Sequence, residues 1–257
     1  MLPTGLIDKR ILVTRAKAYY PAMCRIVESR GASAVSLPCL AVEYLPDMIT
    51  NAMTLLDTCS DILFTSANGV RAVAKTMADD GRSLAEAVQN KRVAAVGKKT
   101  ARALSQSGVC IDIIPEKPSQ DGLVDAYLAN GLPNSLLFFR AEEGRETLAE
   151  AMSKQGVKIV TVPAYRTIFP SDDASDVIAM LQNGHIDAVL LGSAKTASFY
   201  LQRIGSLTLA NRPVIAVISE KMAIATRKLG LNVQVVAKDA SFEAMLDALA
   251  RHFDQHA

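Results

Sequence analysis

The sequence predicts an α/β fold made of two parallel-sheet α/β lobes that arise from an internal duplication. Short apolar runs alternate with longer amphipathic stretches along all 257 residues, which is typical of strands that alternate with covering helices. The apolar runs are continuous, as expected for parallel strands buried on both faces. Landmarks also recur at a constant distance: Arg15 and Arg140 lie 125 positions apart, and so do Gly31 and Gly156. This spacing indicates a repeat.

In the first copy, apolar runs predict the strands, and capping residues predict the helices between them. The predicted strands are 10–14, 33–37, 61–65, 91–96 and 109–114. The predicted helices begin near Pro21, Asp47, Ser66, Lys98 and Ser119. Between the second strand and the second helix, residues 38–46 read as an irregular stretch bounded by prolines.

The second copy repeats this order. Its predicted strands are 136–139, 158–162, 187–191, 213–218 and 232–236, and its predicted helices end or begin near Gly156, Asp173, Ser193, Glu220 and Ser241. Ser66 and Ser193 lie 127 positions apart, and Ser119 and Ser241 lie 122 apart. Small shifts of this kind are what loop insertions and deletions produce. Residues 163–170 are a second irregular, proline-bounded stretch.

The two irregular stretches are the predicted linkers, because they occupy equivalent places in the two copies. In this interpretation residues 1–37 and 168–257 form one discontinuous lobe. Residues 45–162 form an inserted lobe, and 38–46 and 161–170 are approximate linkers that overlap the lobe edges. The alternative is one repeat per lobe, divided near Pro133, and periodicity alone does not choose between them.

Composition excludes some classes of protein. The formal net charge of +2 argues against a nucleic-acid binder that works by bulk charge. The N-terminus has no secretory apolar region, and no apolar run approaches the length of a membrane span. We expect a soluble, cytoplasmic protein that binds neither nucleic acid nor membrane.

Cysteine and histidine positions give no sign of a metal site. The cysteines are scattered without a CxxC pair, which is typical of reduced thiols; they are Cys24, Cys39, Cys59 and Cys110. The histidines are distant from every cysteine; they are His185, His252 and His256. We therefore expect no bound metal.

The residues that follow the predicted strands are the candidate site, since ligands bind outside the carboxyl ends of parallel strands. These junctions are rich in Ser, Thr, Gly, Lys and Arg, and they include 14–15, 65–68, 97–100, 119–122, 140–145, 193–196, 219–221 and 241. Each hydroxyl can cap a helix, and each helix N-terminus offers N–H groups to an anion. A plain capping role is the simpler interpretation of any one serine. The set as a whole favours an anionic ligand.

Several common catalytic motifs are missing. The segment from Gly97 to Thr100 is not a P-loop, because the position that needs the first glycine is Arg92. No GxGxxG follows the first strand, and no Ser-His-Asp set is evident. Glu142 and Glu143 read as the solvated first turn of a helix. A nucleotide or dinucleotide site is therefore disfavoured.

Tyr165 is the candidate acid. It lies in the second predicted linker, between Pro163 and Arg166, where its hydroxyl is placed to donate a proton to a departing group. The alternative is an amphipathic ring that only packs the linker.

In their order and spacing, several short motifs carry a resemblance to a known family. They are Leu-Val-Thr-Arg15, Phe-Thr-Ser66-Ala-Asn-Gly-Val, Ala-Ala-Val-Gly97-Lys-Lys-Thr100-Ala, Gln-Asp-Gly122-Leu, Phe-Arg140-Ala-Glu-Glu-Gly-Arg145-Glu-Thr-Leu, Val-Pro-Ala-Tyr165-Arg-Thr, and Ser193 after a strand. Over essentially its full length the chain resembles the uroporphyrinogen-III synthases. Two positions depart from the pattern: Gly192 stands where the family often has Thr, and Ser219 stands where a repeat of Gly97 is expected.

The resemblance implies two α/β lobes joined by a two-stranded linker. It implies a hydro-lyase of haem biosynthesis that closes hydroxymethylbilane, a linear tetrapyrrole with eight carboxylates, to uroporphyrinogen III with loss of water and inversion of ring D. It implies no cofactor. In this interpretation Tyr165 assists departure of the hydroxyl. The residues that would hold the substrate are Arg15, Ser66, Asn68, Thr100, Arg140, Arg145 and Ser193.

We expect a monomer, and the resemblance allows a transient contact with the preceding enzyme of the pathway. Two rival functions remain at this point. One is a non-catalytic bilobal module of the same fold that binds a tetrapyrrole or another anion. The other is a Rossmann-like transferase acting on a nucleotide, which the missing glycine fingerprint weakens.

Overall fold

The computed structural model describes residues 5–256, and the chain divides into two compact units. Met1–Ala41 and Ile168–Ala257 form the discontinuous unit, and Val42–Thr167 form the continuous unit. Each unit contains a five-stranded sheet in which parallel strand pairs predominate. The predicted α/β class with parallel sheets is confirmed. The predicted division into one discontinuous and one inserted domain stays a prediction.

The elements follow one another as short strands and longer helices. The strands are β1 (Arg10–Val13), β2 (Ser33–Ser36), β3 (Ala41–Tyr44), β4 (Asp61–Phe64), β5 (Arg92–Ala95), β6 (Ser135–Ala141), β7 (Lys158–Ile168), β8 (Ala188–Leu191), β9 (Val214–Val217) and β10 (Val233–Val236). The helices are α1 (Tyr20–Glu28), α2 (Pro46–Met53), α3 (Ala67–Asp79), α4 (Leu84–Val88), α5 (Lys98–Gln106), α6 (Gln120–Asn130), α7 (Thr147–Lys154), α8 (Ser175–Gln182), α9 (Ala194–Ile204), α10 (Leu207–Ala210), α11 (Glu220–Arg227) and α12 (Phe242–Gln255). Two 3₁₀ turns, Lys17–Tyr19 and Leu56–Thr58, complete the set.

The two sheets match in strand order once equivalent strands of the two predicted copies are paired: β8, β9, β1 and β2 correspond to β4, β5, β6 and β7, and β3 is an additional edge strand. The discontinuous unit has the order β10-β9-β8-β1-β2, and the continuous unit has β3-β7-β6-β4-β5. A single parallel bridge from Ile113 to Ala94 of β5 extends the second sheet. The discontinuous sheet therefore combines the first two strands of the first copy with the last three of the second. Apart from β3, the continuous sheet combines the first two strands of the second copy with two strands of the first and the bridge at Ile113. The duplication itself stays a prediction that this matching order supports.

Each sheet is buried on both faces, as the continuous apolar runs predict. On β6, Leu137 and Phe139 pack into one apolar cluster of the continuous unit, while Leu136 and Phe138 pack into the cluster on the opposite face. The sheet of the discontinuous unit is likewise covered by two clusters. Helices that bury these faces leave the carboxyl ends of the strands as the place where polar side chains gather.

Parts of the two predicted irregular stretches are strands, so the prediction of irregular structure is wrong for residues 41–44 and 163–168. Residues 41–44 form β3, and β7 continues through 163–168 beside it. Pro163 suggested a break because proline lacks the ladder N–H. The strand instead accommodates Pro163 with a register shift, in which Arg140 pairs with Pro163 but Ala141 pairs with Tyr165.

Two smaller predictions are also wrong, and two short helices were missed. The predicted strand 109–114 makes only the bridge at Ile113, because the carboxylate of Asp112 takes the Val93 N–H at 2.7 Å in place of a backbone carbonyl. Glu142 and Glu143 do not lie in a helical turn, since α7 begins at Thr147. The short helices α4 and α10 were not predicted. In the described part of the chain, every helix is too short or too polar to cross a membrane.

Candidate active site

Several of the candidate residues lie at the two points where strand order reverses. In the continuous unit the chain winds one way from β4 to β5 and the other way from β6 to β7, so the switch point lies between the adjacent strands β4 and β6. Ser66 follows β4, and Arg140 is near the end of β6. In the discontinuous unit the switch point lies between β1 and β8, which Arg15 and Ser193 follow. Ligands of open α/β sheets bind at such points.

In the continuous unit Tyr165 packs against the first turn of α3. Its ring carbon Cε1 is 3.9 Å from the position that a Cβ on Gly69 would occupy. The residue is only 8% exposed and belongs to the same apolar cluster as Phe64 and Phe139. The structure therefore brings the predicted acid together with the Ser66–Asn68 junction.

The register shift in β7 sets the direction of the Tyr165 side chain. Successive side chains of a strand point to opposite faces, yet Ala164 and Tyr165 both pack into the cluster that also contains Val162. Ala164 is the extra residue between the Arg140–Pro163 and Ala141–Tyr165 pairs. Such a bulge re-aims the side chains that follow it, and it turns Tyr165 onto the α3 face of the sheet.

Arg140 does not present an open guanidinium. It is 6% exposed; its Nη1 donates to the backbone oxygen of Arg145 at 2.6 Å, and its Nη2 forms an ion pair with Glu146. Sequence reasoning predicted a substrate contact, but these bonds hold the segment that follows β6.

Arg145 is exposed and lines a pocket of about 450 Å³ at the carboxyl ends of β4 and β5. The pocket is lined by Thr65, Val96, Pro118, Ser119, Gln120, Asp121, Arg145 and Thr147. Sequence reasoning missed Gln120, whose Oε1 accepts the N–H of Leu148 at 3.2 Å and so caps the first turn of α7. No local signal marks this contact, because the two residues are 28 positions apart.

Thr100 is almost fully buried, although it is among the residues that line a second pocket, of about 540 Å³. It is 3% exposed, and its N–H donates to the carbonyl of Gly97 at 3.0 Å. The side chain is turned into the unit because the first turn of α5 packs Thr100 and Ala101 inward. Its assignment as a substrate contact stays a prediction.

In the discontinuous unit Arg15 and Ser193 follow adjacent strands. The buried Thr14 joins those strands with a hydrogen bond from its hydroxyl to the Leu190 carbonyl at 2.6 Å. Arg15 is exposed, and its guanidinium carbon lies 5.1 Å from the ring centroid of Tyr19. Ser193 Oγ accepts the N–H of Thr196 at 3.1 Å. Both residues lie at the switch point of this sheet.

The predicted capping serines all cap helices. Each accepts a backbone N–H from the first turn; these residues are Ser66, Ser119, Ser193, Ser219 and Ser241. Ser83 and Ser206 do the same for the helices that were not predicted. Asn68 supplies the N–H that Ser66 caps, and its Oδ1 accepts from Arg71 at 3.3 Å. Capping accounts for these serines geometrically, and a further role in binding stays a prediction.

An ion pair fixes the strand next to Tyr165. Nε of Arg166 lies 2.5 Å from Oε2 of Glu43, which joins β7 to β3. The hydrogen bond from Arg166 lowers the pKa of the Glu43 carboxyl, and the same bond raises the pKa of Arg166. Both groups therefore stay charged near neutral pH.

The described residues contain no cluster of three His, Cys, Asp or Glu side chains arranged to hold a metal ion. The cysteines are free thiols, as their spacing predicts. Burial raises the pKa of the Cys39 thiol to about 12, so this thiol stays neutral and belongs to the core.

Comparison with known proteins identifies the family. The sequence model described as Uroporphyrinogen-III synthase HemD matches residues 22–247. The chain belongs to the uroporphyrinogen-III synthase family. The predicted resemblance is thereby confirmed, and with it the class of enzyme, a cyclising hydro-lyase of tetrapyrrole synthesis.

Individual members of the family match along nearly the whole chain. The uroporphyrinogen-III synthase of Synechococcus elongatus is 28% identical over 260 residues, which cover 97% of this chain and 97% of that protein. The uroporphyrinogen-III synthase of Chlorobaculum parvum is 29% identical over 230 residues, which cover 89% of this chain and 92% of that protein. The crystal structure of uroporphyrinogen-III synthetase from Helicobacter pylori has a TM-score of 0.63 at 17% identity and covers 95% of this chain and 99% of that one. This last similarity shows a shared fold.

Proposed function

We propose that this family member closes hydroxymethylbilane to uroporphyrinogen III, with loss of water and inversion of ring D. The observation that carries the proposal is the family match over residues 22–247. The candidate residues at both sheet switch points agree with it, because a substrate with eight carboxylates requires cationic and N–H donors at the ends of parallel strands.

The reaction needs little from the enzyme beyond holding the substrate in the right conformation. Electron-rich pyrroles expel hydroxide readily, and free substrate closes without help to the isomer that is not inverted. An enzyme must hold the chain so that the substituted carbon of ring D meets the cation first, which gives a spiro intermediate. Positioning of this kind supplies most of the rate, and an acid assists loss of water.

Within this proposal Tyr165 is the group that assists departure of the hydroxyl. Its ring is held in the apolar cluster beside Gly69, so its hydroxyl has a fixed place near the first turn of α3. Arg145 and Arg15, both exposed, are the cations assigned to substrate carboxylates. Ser66, Asn68 and Ser193 are assigned to the same task through the helix N-termini that they begin.

The test is the isomer formed from fresh substrate. We expect purified protein given hydroxymethylbilane to yield mostly uroporphyrin III after oxidation and chromatographic separation. Boiled protein is the control and should yield isomer I. If the correctly folded protein also yields isomer I, at the rate seen without enzyme, the proposal fails. The protein is then better explained as a non-catalytic tetrapyrrole-binding module.

A pair of serines separates capping from binding in the discontinuous unit. Ser193 and Ser206 cap α9 and α10 in the same way, but only Ser193 follows a strand at the switch point. We expect Ser193→Ala and Ser206→Ala each to lower the free energy of unfolding by about 1 kcal/mol, since each loses a cap. Only Ser193→Ala should also raise KM, by about fivefold for one lost hydrogen bond.

The measurement is steady-state kinetics beside thermal unfolding of both variants. Equal KM values for the two variants would reduce Ser193 to a cap and leave substrate binding to the other assigned residues.

A further inference from the structure

The most unusual cation of the continuous unit is Arg140, because it is charged and yet 6% exposed. It lies near the end of β6 on the face that carries Phe138, and its guanidinium carbon is 6.0 Å from that ring centroid. A buried guanidinium needs hydrogen-bond acceptors to offset its lost hydration. The location of those acceptors shows what the residue does.

All the acceptors recorded for Arg140 lie in the segment that follows it. Nη1 donates to the Arg145 carbonyl at 2.6 Å, and Nη2 pairs with Glu146. The segment is bent tightly around the guanidinium, since Gly144 N–H donates to the Ala141 carbonyl at 3.0 Å. A Cβ on Gly144 would lie 3.0 Å from Arg140 Nε, so the fit tolerates little more than a hydrogen there.

The same segment is joined to Tyr165. The N–H of Glu142 donates to the Tyr165 carbonyl at 2.8 Å, and Ala141 is the β6 partner of Tyr165 after the register shift. A change in the path of residues 141–146 therefore moves the backbone that aims the Tyr165 ring. It also moves Arg145, which lines the pocket at the ends of β4 and β5.

We propose that Arg140 is a positioning residue: its guanidinium fixes the path of residues 141–146 and through them the placement of Tyr165. This inference rests on the proposed function for its kinetic consequence, but its structural part stands apart from activity. Arg140 acts through Tyr165 and does not contact the substrate.

The kinetic test compares Arg140→Met with Arg82→Met. Methionine keeps an apolar stem against Phe138 and removes the donors, while Arg82 is an exposed arginine of the same unit. We expect Arg140→Met to lower kcat about tenfold or more through a misplaced acid, to raise KM by a smaller factor, because Arg145 moves with the same segment, and to raise the fraction of isomer I. Arg82→Met should have the same kcat, KM and fraction of isomer I as the parent. Raised KM with unchanged kcat would make Arg140 a substrate contact and overturn the proposal.

A second variant disturbs the same contact from the other side. Gly144→Ala leaves Arg140 in the chain but places a methyl group 3.0 Å from both Arg140 Nε and the Ala141 carbonyl. We expect the same fall in kcat. The double variant Arg140→Met, Gly144→Ala should have a kcat no lower than that of the more impaired single variant, because both substitutions disturb the same contact. Independent, additive losses would contradict a shared role.

The structural test needs no activity. With 3-fluorotyrosine incorporated, ¹⁹F NMR of Arg140→Met should show a shifted or broadened Tyr165 resonance, assigned by its absence in Tyr165→Phe. The Tyr200 resonance should stay in place, since that ring is buried in the discontinuous unit, which does not contain Arg140. An unmoved Tyr165 resonance would overturn the inference even in an active protein. A moved resonance in a protein that forms no isomer III would sustain it while the proposed function fails.

Discussion

Replacing Arg203 by methionine is expected to lower the free energy of unfolding by about 3 kcal/mol, the worth of charge-assisted hydrogen bonds that are lost together. The Arg203 side chain is 2% exposed on α9 of the discontinuous unit. Nη1 donates to the Pro38 carbonyl at 2.7 Å and to Asp172 Oδ1 at 3.0 Å, and Nη2 donates to the Asp172 carbonyl at 2.8 Å.

These acceptors explain why the effect should be large. Residues 38 and 172 lie on the two chain segments by which this unit ends before residue 42 and resumes after residue 167. They are far apart in sequence, and Arg203 holds both to α9. Methionine fills much of the space of the arginine stem but leaves the carbonyls without their donor.

Arg227→Met is the matched control, because Arg227 forms an exposed pair with Glu220 at 3.3 Å. Exposed pairs contribute about 0 to 1 kcal/mol, so this variant should unfold nearly as the parent does. Urea unfolding, monitored by circular dichroism, gives the midpoint and the free energy of unfolding of both variants. Equal midpoints for the two variants would show that the Arg203 contacts contribute little.

The Arg203 contact should also appear in the dependence of stability on pH. The hydrogen bond from Arg203 lowers the pKa of the Asp172 carboxyl. A carboxyl with a lowered folded-state pKa stabilises the fold above its unfolded value of about 3.9, and that contribution is lost as pH falls through the folded value. The difference in the free energy of unfolding between the parent and Arg203→Met should therefore become smaller below about pH 4.

Much of the fold follows from local signals in the sequence. Continuous apolar runs such as the one that forms β4 predicted buried parallel strands, and serines such as Ser66 predicted helix starts. Local signals missed β3 and the end of β7 because Pro163 is a local sign of a break; only the family resemblance implied a two-stranded linker, which stays a prediction. The register shift that retains it depends on pairing with β6, a strand more than twenty positions earlier in the chain.

The candidate site was predictable in its place but less so in its chemistry. The carboxyl ends of parallel strands are a property of the fold class, so Arg15, Ser66 and Ser193 could be placed at strand ends from sequence. The direction of a side chain depends on packing. Arg140 and Thr100 were predicted to face the substrate, and both are buried by contacts that no local pattern reveals.

Replacing Tyr165 by phenylalanine is expected to lower kcat about 100-fold while leaving the fold intact, because a positioned acid contributes about that factor or more. The ring, which accounts for the packing in the cluster with Phe64 and Phe139, is retained. Only the hydroxyl is lost, so the free energy of unfolding should fall by no more than about 0.5 to 1.5 kcal/mol, the net contribution of one hydrogen bond.

Tyr127→Phe is the control for the loss of a buried hydroxyl. Among the described residues no group forms a hydrogen bond with the buried Tyr127 hydroxyl. Its removal therefore costs no bond, and stability should stay equal or rise. Because Tyr127 packs on the opposite face of the sheet from Tyr165, its variant should keep the parent's kcat.

The rate of isomer III formation in a single turnover is the measurement for both variants. If Tyr165→Phe closes the substrate at the parent rate, the proton for water loss comes from the backbone or from water, and Tyr165 is a packing residue of β7.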